Sequence, residues 1–329
     1  MNNTYSPIHA SQIALPPVGD QLGHELIKGA AFLLIPTELL YFSIYFHIND
    51  AYRMYKILTP WSLGAFWLAP WLAPVSYGPA RCLQHFAIAV GTMKILDIWA
   101  RRGVMPVYTA GRKPAGWKLA WITLTELRYE SFTPNHVPVS MTQKNFSEPT
   151  QLGIHAGMFV LLQALPQNHP TILALEILLA TYILLTSIQL LVRYESSPAL
   201  FGPLYRTSSL TGFWSESWHN AFASPCISLA YAPLRYGLPK YGIACVVARS
   251  LGVLGAFALL AVFHIYVLSP ILNIGALVRI GAFFMLNGIA TVSEAAIWGQ
   301  KKHWAKTLMA WFFELAVASW AAGGLDLSN

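Results

Sequence analysis

Two histidines stand out in this chain because each sits among residues that belong in lipid. His219 closes the run Ser209-Leu-Thr-Gly-Phe-Trp-Ser-Glu-Ser-Trp-His219, which continues through Asn220 and Ala221 to Phe222. On a helix, Trp214, Trp218 and Phe222 recur every fourth residue along one face, and Glu216 lies three residues before His219, close enough to touch it. Half of such a helix seeks an interface, and the other half holds a carboxylate and an imidazole that can exchange a proton. The competing expectation is an interfacial amphipathic helix, its tryptophans at headgroup level and its histidine merely polar. His264 lies in Leu-Leu-Ala-Val-Phe-His-Ile-Tyr with no charged residue within a helical turn. A neutral imidazole in that setting is suited to general-base work, and equally it can be a packed histidine bonded to a backbone carbonyl or near Tyr266. No serine or cysteine shows the surroundings of an activated nucleophile. Cys82, Cys226 and Cys245 are too widely spaced for a disulfide framework or a metal site, and no Gly-rich phosphate loop is present, so no metal or bound cofactor is expected.

The elements that must position these histidines are membrane helices. Hydrophobic residues make up 55% of the 329 and charged residues only 11%, which describes a polytopic membrane protein and not a soluble domain. The fold class expected is an all-α transmembrane bundle of about eight spans, forming a single domain over residues 1–329. The spans fall near Ala30 to His47, Trp61 to Tyr77, Cys82 to Trp99, Leu152 to Pro166, Thr171 to Val192, Ile243 to Leu268, Ile271 to Trp298 and Ala305 to Ala322. Residues 1–28 read as a polar tail unlike a cleaved signal peptide. With this count most of the 21 Lys and Arg residues fall in alternate loops, which makes those loops cytosolic and suggests the endoplasmic reticulum. The net charge of +7 follows from that topology, and no basic patch suited to nucleic acid is visible.

Two cytosolic segments are too long to be turns. Residues 100–151 carry Arg101, Arg102, Arg112 and Lys113 around a Gly and Pro-rich stretch, suited to phosphates or anionic headgroups, or serving topology alone. Residues 193–241 hold the tryptophan-histidine run and are expected to form interfacial or re-entrant helices. Inside the spans the ionisable residues are few: Glu38, His85, Lys94, Asp97, Glu176, Arg249, His264, Arg279, Glu294 and Glu314. Lys94 and Asp97, three apart, are expected to pair with each other, and Glu38 and Glu314 to be satisfied by neighbours.

The pattern Ser209-Leu-x-x-Phe-Trp-x-x-x-Trp-His219, followed by the isolated intramembrane His264, resembles the wax-synthase-like branch of the membrane-bound O-acyltransferases. Looser matches are Lys94-Ile-Leu-Asp97, Glu126-Leu-Arg-Tyr129 and Phe283-Phe-Met-Leu-Asn-Gly-Ile289 with Glu294 after it. The nearest likeness is to short fungal members that acetylate terpenoid or meroterpenoid alcohols in secondary metabolism. The resemblance implies a multi-pass acyltransferase with acyl-CoA, most simply acetyl-CoA, as co-substrate and a lipophilic alcohol as acceptor. It gives His264 the role of base and His219 a positioning or oxyanion-stabilising role. Asn220 is a further oxyanion donor, Glu216 would orient the imidazole, and Trp214 and Trp218 support the motif. Arg101, Arg102, Arg112 and Lys113 would meet the coenzyme A phosphates. The chain departs from the family at Ser215-Glu216-Ser217, where Gly and Arg are common, and at Leu260-Ala-Val-Phe263, where small residues are common.

Two other classes stay open at this stage. An integral-membrane terpene cyclase would protonate its substrate with a buried carboxylic acid, Glu38, Glu176 or Glu294, and ignore His264. A small-molecule transporter would line a midplane path with its ionisable residues. One tension attends the acyltransferase reading: His219 falls at the cytosolic face and His264 toward the other end of its helix. Either the Ile243 to Leu268 span is misdrawn or a deep tunnel joins the two faces.

Overall fold

A computed structural model describes residues 19–101, 105–135, 146–192, 198–202, 204–299, 301 and 303–325. Among the described residues eight long helices lie at or near the segments expected to span: α1 (Gly19–Ile48), α2 (Tyr52–Leu72), α3 (Gly78–Ala100), α5 (Glu148–Leu162), α6 (Pro170–Val192), α9 (Cys245–Leu268), α10 (Ile274–Trp298) and α11 (Trp304–Ala322). Between α3 and α5 lies the short α4 (Gly116–Thr125). Four helices, covering Gln21–Ile48, Pro170–Leu191, Cys245–Leu268 and Ile274–Trp298, are long and apolar enough to cross a bilayer on length and composition. Their outer faces fit that solvent, since Leu191, Ile274 and Val246 are each more than three-quarters exposed.

Three expectations need correction. Helix α1 starts at Gly19, so the last part of the supposed polar tail is helical. Helix α2 runs Tyr52–Leu72 and not Trp61–Tyr77, because one face of its polar first half packs against α1. Tyr55 is buried there, and Thr59 shares a 2.7 Å hydrogen bond with Ser43 of α1. The class is also not purely helical. Val107–Tyr108 (β1) and Phe132–Thr133 (β2) pair antiparallel in the loop between α3 and α5.

The segment from 198 to 241 departs most from regular helix. A 3-10 turn (Leu204–Arg206) leads into α7 (Leu210–Gly212), whose N-cap Ser209 accepts from the Gly212 N–H at 2.9 Å. A π-helix (Phe213–Ser217) follows, then α8 (Ala223–Cys226), two further π-turns (Ile227–Tyr231 and Pro233–Gly237) and a closing 3-10 turn (Leu238–Tyr241). Gly242, in the left-handed region at φ 83°, turns the chain into α9. Such backbone is tolerable at depth only where protein covers it, and α9 supplies the cover. A Cβ on Gly252 of α9 would lie 2.9 Å from the Tyr231 carbonyl, so the close approach depends on glycine.

Candidate active site

The irregular segment, α6, α9, α10 and α11 line an open-sided cavity of about 1490 Å³ with almost wholly apolar walls. On α9 the lining runs from Val253 to Leu268, and on α11 from Leu308 to Ala322, so the cavity extends along most of the bundle. Both histidines line it. The span of α9 ends at Leu268 as expected, yet the two histidines do not lie at opposite ends of the cavity: Phe222, edge-on to His219, packs 4.5 Å from Phe263, the neighbour of His264.

His264 is held in one tautomer. Its Nδ1 lies 2.8 Å from the Leu260 carbonyl, one turn back on α9. A carbonyl only accepts, so Nδ1 carries the proton and Nε2 keeps its lone pair. Phe284 of α10 stacks on the ring at 4.3 Å between centroids, and Phe263 meets it edge-on at 5.2 Å. The imidazole is thereby clamped, with one nitrogen left for chemistry.

His219 sits just beyond the π-helix. Trp218 is extended (φ −77°, ψ 160°), and this break ends the helix before His219. The expected four-residue stripe therefore does not form on one straight helix, and Glu216 and His219 are not helical neighbours. Glu216 is exposed, and among the described residues no interaction joins it to His219. The structure gives Glu216 no contact through which to orient that ring. Phe201, Trp218 and Phe222 surround the His219 ring at 5.4 to 6.4 Å, and its Nδ1 is buried without a hydrogen-bond partner. An unpaired polar atom in such a place is costly unless a ligand meets it.

The tryptophans do not form an exposed face. Trp218 is 8% exposed and stacks on Phe213. Trp214 points its Nε1 into the bundle, donating to Asn287 Oδ1 at 3.0 Å and to Glu314 Oε1 at 2.8 Å. Its ring packs on Phe257, Phe283 and Phe284. The π-turn supplies this inward aim, and helical periodicity could not have foreseen it. One oxygen of Glu314, Oε1, is thus met by a neighbour.

A polar clamp holds the motif from the side of the loop between α4 and α5. Arg128, nearly fully buried, donates through Nη1 to Asn220 Oδ1 at 2.8 Å and to the Ala199 carbonyl at 3.0 Å, through Nη2 to the Pro198 carbonyl at 2.8 Å, and pairs with Glu130 at 2.9 Å. The carbonyl of Asn220 is therefore committed to Arg128, although the residue also lines the cavity. Gly202 donates its N–H to the Ser217 carbonyl at 3.0 Å, and a Cβ there would fall 2.2 Å from the Glu216 carbonyl oxygen. Asp97 accepts from Ser224 Oγ at 3.0 Å, from Ser228, and from Arg101 Nε at 2.7 Å. The expected Lys94–Asp97 pair is not what forms: Lys94 donates to the Glu126 carbonyl at 2.8 Å and lies over the Tyr129 ring. In the loop, burial raises the Glu126 carboxyl against the hydrogen bonds from Ser131, and burial pushes the Tyr129 phenol well above its ordinary range.

Among the four basic residues expected to meet phosphates, Arg101 is spent on this clamp, donating also to Ser224 Oγ at 3.1 Å. Arg112 and Lys113 stand exposed between β1 and α4, and Arg102 lies outside the described residues. The carboxylic acids a cyclase would use are also engaged elsewhere. Glu294 accepts from the Leu210 and Thr211 N–H groups at 2.7 and 3.2 Å, capping α7, Glu176 accepts from Gln163, and Glu38 is exposed. None of the three lines the cavity. Arg128 and Asn287 are the residues whose importance the sequence did not declare, although both lie inside stretches that matched the family loosely. Among the described residues no group of His, Cys, Asp and Glu is arranged to hold a metal.

Residues 197–286, which include both histidines, match the model of the membrane bound O-acyl transferase family. The chain is also similar to an Arabidopsis thaliana protein named probable long-chain-alcohol O-fatty-acyltransferase 7, with 27% identity over 174 residues, covering 50% of each. The match thus spans about half the length of that curated relative. No solved structure matches the chain. Both similarities support the family that the histidine motif resembles, and with the apolar helices they support a membrane protein.

Proposed function

We propose that this chain is a membrane-embedded, acyl-CoA-dependent O-acyltransferase in which His264 is the general base and His219 stabilises the oxyanion. The observation that carries this is the Leu260 carbonyl bond, which leaves the basic Nε2 of His264 unprotonated in the same cavity as a second, unpartnered histidine. His264 Nε2 takes the proton of an alcohol as its oxygen attacks the thioester carbonyl. The tetrahedral oxyanion accepts a hydrogen bond from the His219 ring. Its collapse breaks the C–S bond, and the imidazolium of His264 returns the proton to the coenzyme A thiolate. No covalent acyl-enzyme is required.

All eight long helices cross the bilayer in this reading, as one domain, with the loop holding Arg112 and Lys113 on the cytosolic side, where acyl-CoA resides. That orientation suits the endoplasmic reticulum. Arg112 and Lys113, with Arg102, meet the coenzyme A phosphates, and the lipophilic acceptor enters from lipid. A cavity of about 1490 Å³ exceeds the several hundred to ~1,000 Å³ usual for one small ligand and suits two substrates together. The motif's likeness favours acetyl transfer to a terpenoid or meroterpenoid hydroxyl. The name of the Arabidopsis relative favours a second reading, fatty-acyl transfer to a long-chain alcohol.

The test is ester formation by membranes bearing wild type, His264→Ala or His219→Ala at matched protein levels, supplied with labelled acetyl-CoA or palmitoyl-CoA and both kinds of alcohol. We expect His264→Ala to lose about 100- to 10,000-fold and His219→Ala about 100- to 1,000-fold. Activity unchanged in His264→Ala would sink the mechanism, and no CoA-dependent ester from any pair would sink the activity.

A further inference from the structure

The cavity contains a polar patch that the acyl-transfer step does not use. Glu314 lines it, 8% exposed, with Oε1 taken by the Trp214 indole and Oε2 in no hydrogen bond among the described residues. Thr291 lines it too, 8% exposed, and its Oγ1 is buried with no partner. The two belong together: Trp214 bonds both Glu314 and Asn287, and Asn287 lies one turn from Thr291 on the same face of α10. The rest of the wall near them is Trp214, Leu308, Trp311 and Leu315. One open carboxyl oxygen and one open hydroxyl in apolar surroundings want a group that both donates and accepts, which describes an alcohol.

We propose that Glu314 and Thr291 form a specificity subsite for a second hydroxyl on the acceptor, so that the preferred substrate is an apolar diol and not a simple alcohol. The spacing follows from α10. Phe284 stacks on His264, and Asn287 and Thr291 lie three and seven residues further on, so the second hydroxyl sits roughly 5 to 10 Å along the helix from the reacting one. The ligand hydroxyl bridges Glu314 Oε2 and Thr291 Oγ1, donating to one and accepting from the other. Its absence leaves both groups dry and unpaired, and this loss sets the discrimination. The proposal rests on the acyltransferase reading only for calling the ligand an acceptor, since the binding subsite is independent of the chemistry.

The experiment compares an aliphatic diol with the monoalcohol of the same chain on the full-length protein in nanodiscs. Equilibrium binding is measured alongside ester formation, using wild type, Glu314→Leu and Thr291→Val. Glu314→Leu leaves Trp214 its bond to Asn287, and Thr291→Val is isosteric, so either variant reads the subsite should the other misfold. Wild type should bind the diol roughly 10- to 100-fold more tightly, and each variant should lose most of that ratio with little change for the monoalcohol. Diol preference in binding without ester formation would keep the subsite and overturn the acyl-transfer reading. Equal binding of diol and monoalcohol by wild type overturns the subsite. So does a preference that both variants keep, or a change confined to the KM for acyl-CoA, which would assign the patch to the pantetheine arm.

Discussion

The two histidines and the arginine clamp sit on either side of the same irregular segment, yet they treat polar atoms in opposite ways. In the cavity, His219 Nδ1 and Thr291 Oγ1 are buried and unpaired. In the clamp, Arg128 reaches three acceptors and a carboxylate, and Asp97 takes Arg101, Ser224 and Ser228. Saturated networks fix a structure, whereas unsaturated groups in a dry cavity await a ligand. The contrast assigns the clamp to architecture and the cavity to chemistry, and each assignment can be broken.

Arg128→Ala should have the largest effect on folding. It strands Glu130 and the Ala199 carbonyl and takes one partner from Asn220 and from the Pro198 carbonyl, which keeps Gln189, and breaking a buried pair from one side costs about 3–5 kcal/mol. Thermal unfolding in detergent should fall accordingly, while His264→Ala and His219→Ala melt like wild type. Equal stability of Arg128→Ala and wild type would undo the distinction between the regions. Gly202→Ala probes the same segment more gently. The added methyl meets the Glu216 carbonyl at 2.2 Å and must push the π-turn away, for about 1–3 kcal/mol. Because that turn aims Trp214 and precedes His219, activity should fall with stability, and Gly202→Ser should behave alike.

Much of this was legible in the chain beforehand. The apolar runs located the long helices, although α2 is displaced from its expected bounds and four of the helices are apolar enough to cross a bilayer, and α9 ends at Leu268 as read. His264 announced itself by isolation. What periodicity missed was the break at Trp218 and the π-turns, where backbone leaves the 3.6-residue repeat that any such reading assumes. Hence Glu216 appeared beside His219 and is not. Long-range pairing was equally hidden: Lys94 and Asp97 lie three apart, yet each finds a partner from a distant loop or turn, Glu126 for one and Ser224 for the other. Nothing local to Arg128 points to Asn220, 92 residues away.

The smallest expected effect separates the basic residues from one another. Arg101 was grouped with Arg112 and Lys113 on charge alone, but it is committed to Asp97 and Ser224, whereas the other two are exposed. An exposed cation contributes roughly 0.2–1 kcal/mol to an ionic contact, so Arg112→Ala with Lys113→Ala should raise the KM for acyl-CoA only severalfold. The rise should shrink as salt is added, since screening weakens the wild-type contact as well. Neither kcat nor the melting temperature should move. Arg101→Ala should do the reverse, lowering the melting temperature and leaving the salt dependence of KM intact. If Arg101→Ala instead abolished that salt dependence, the clamp would reach the coenzyme A phosphates, and the boundary between architecture and chemistry would have to be redrawn through Asp97.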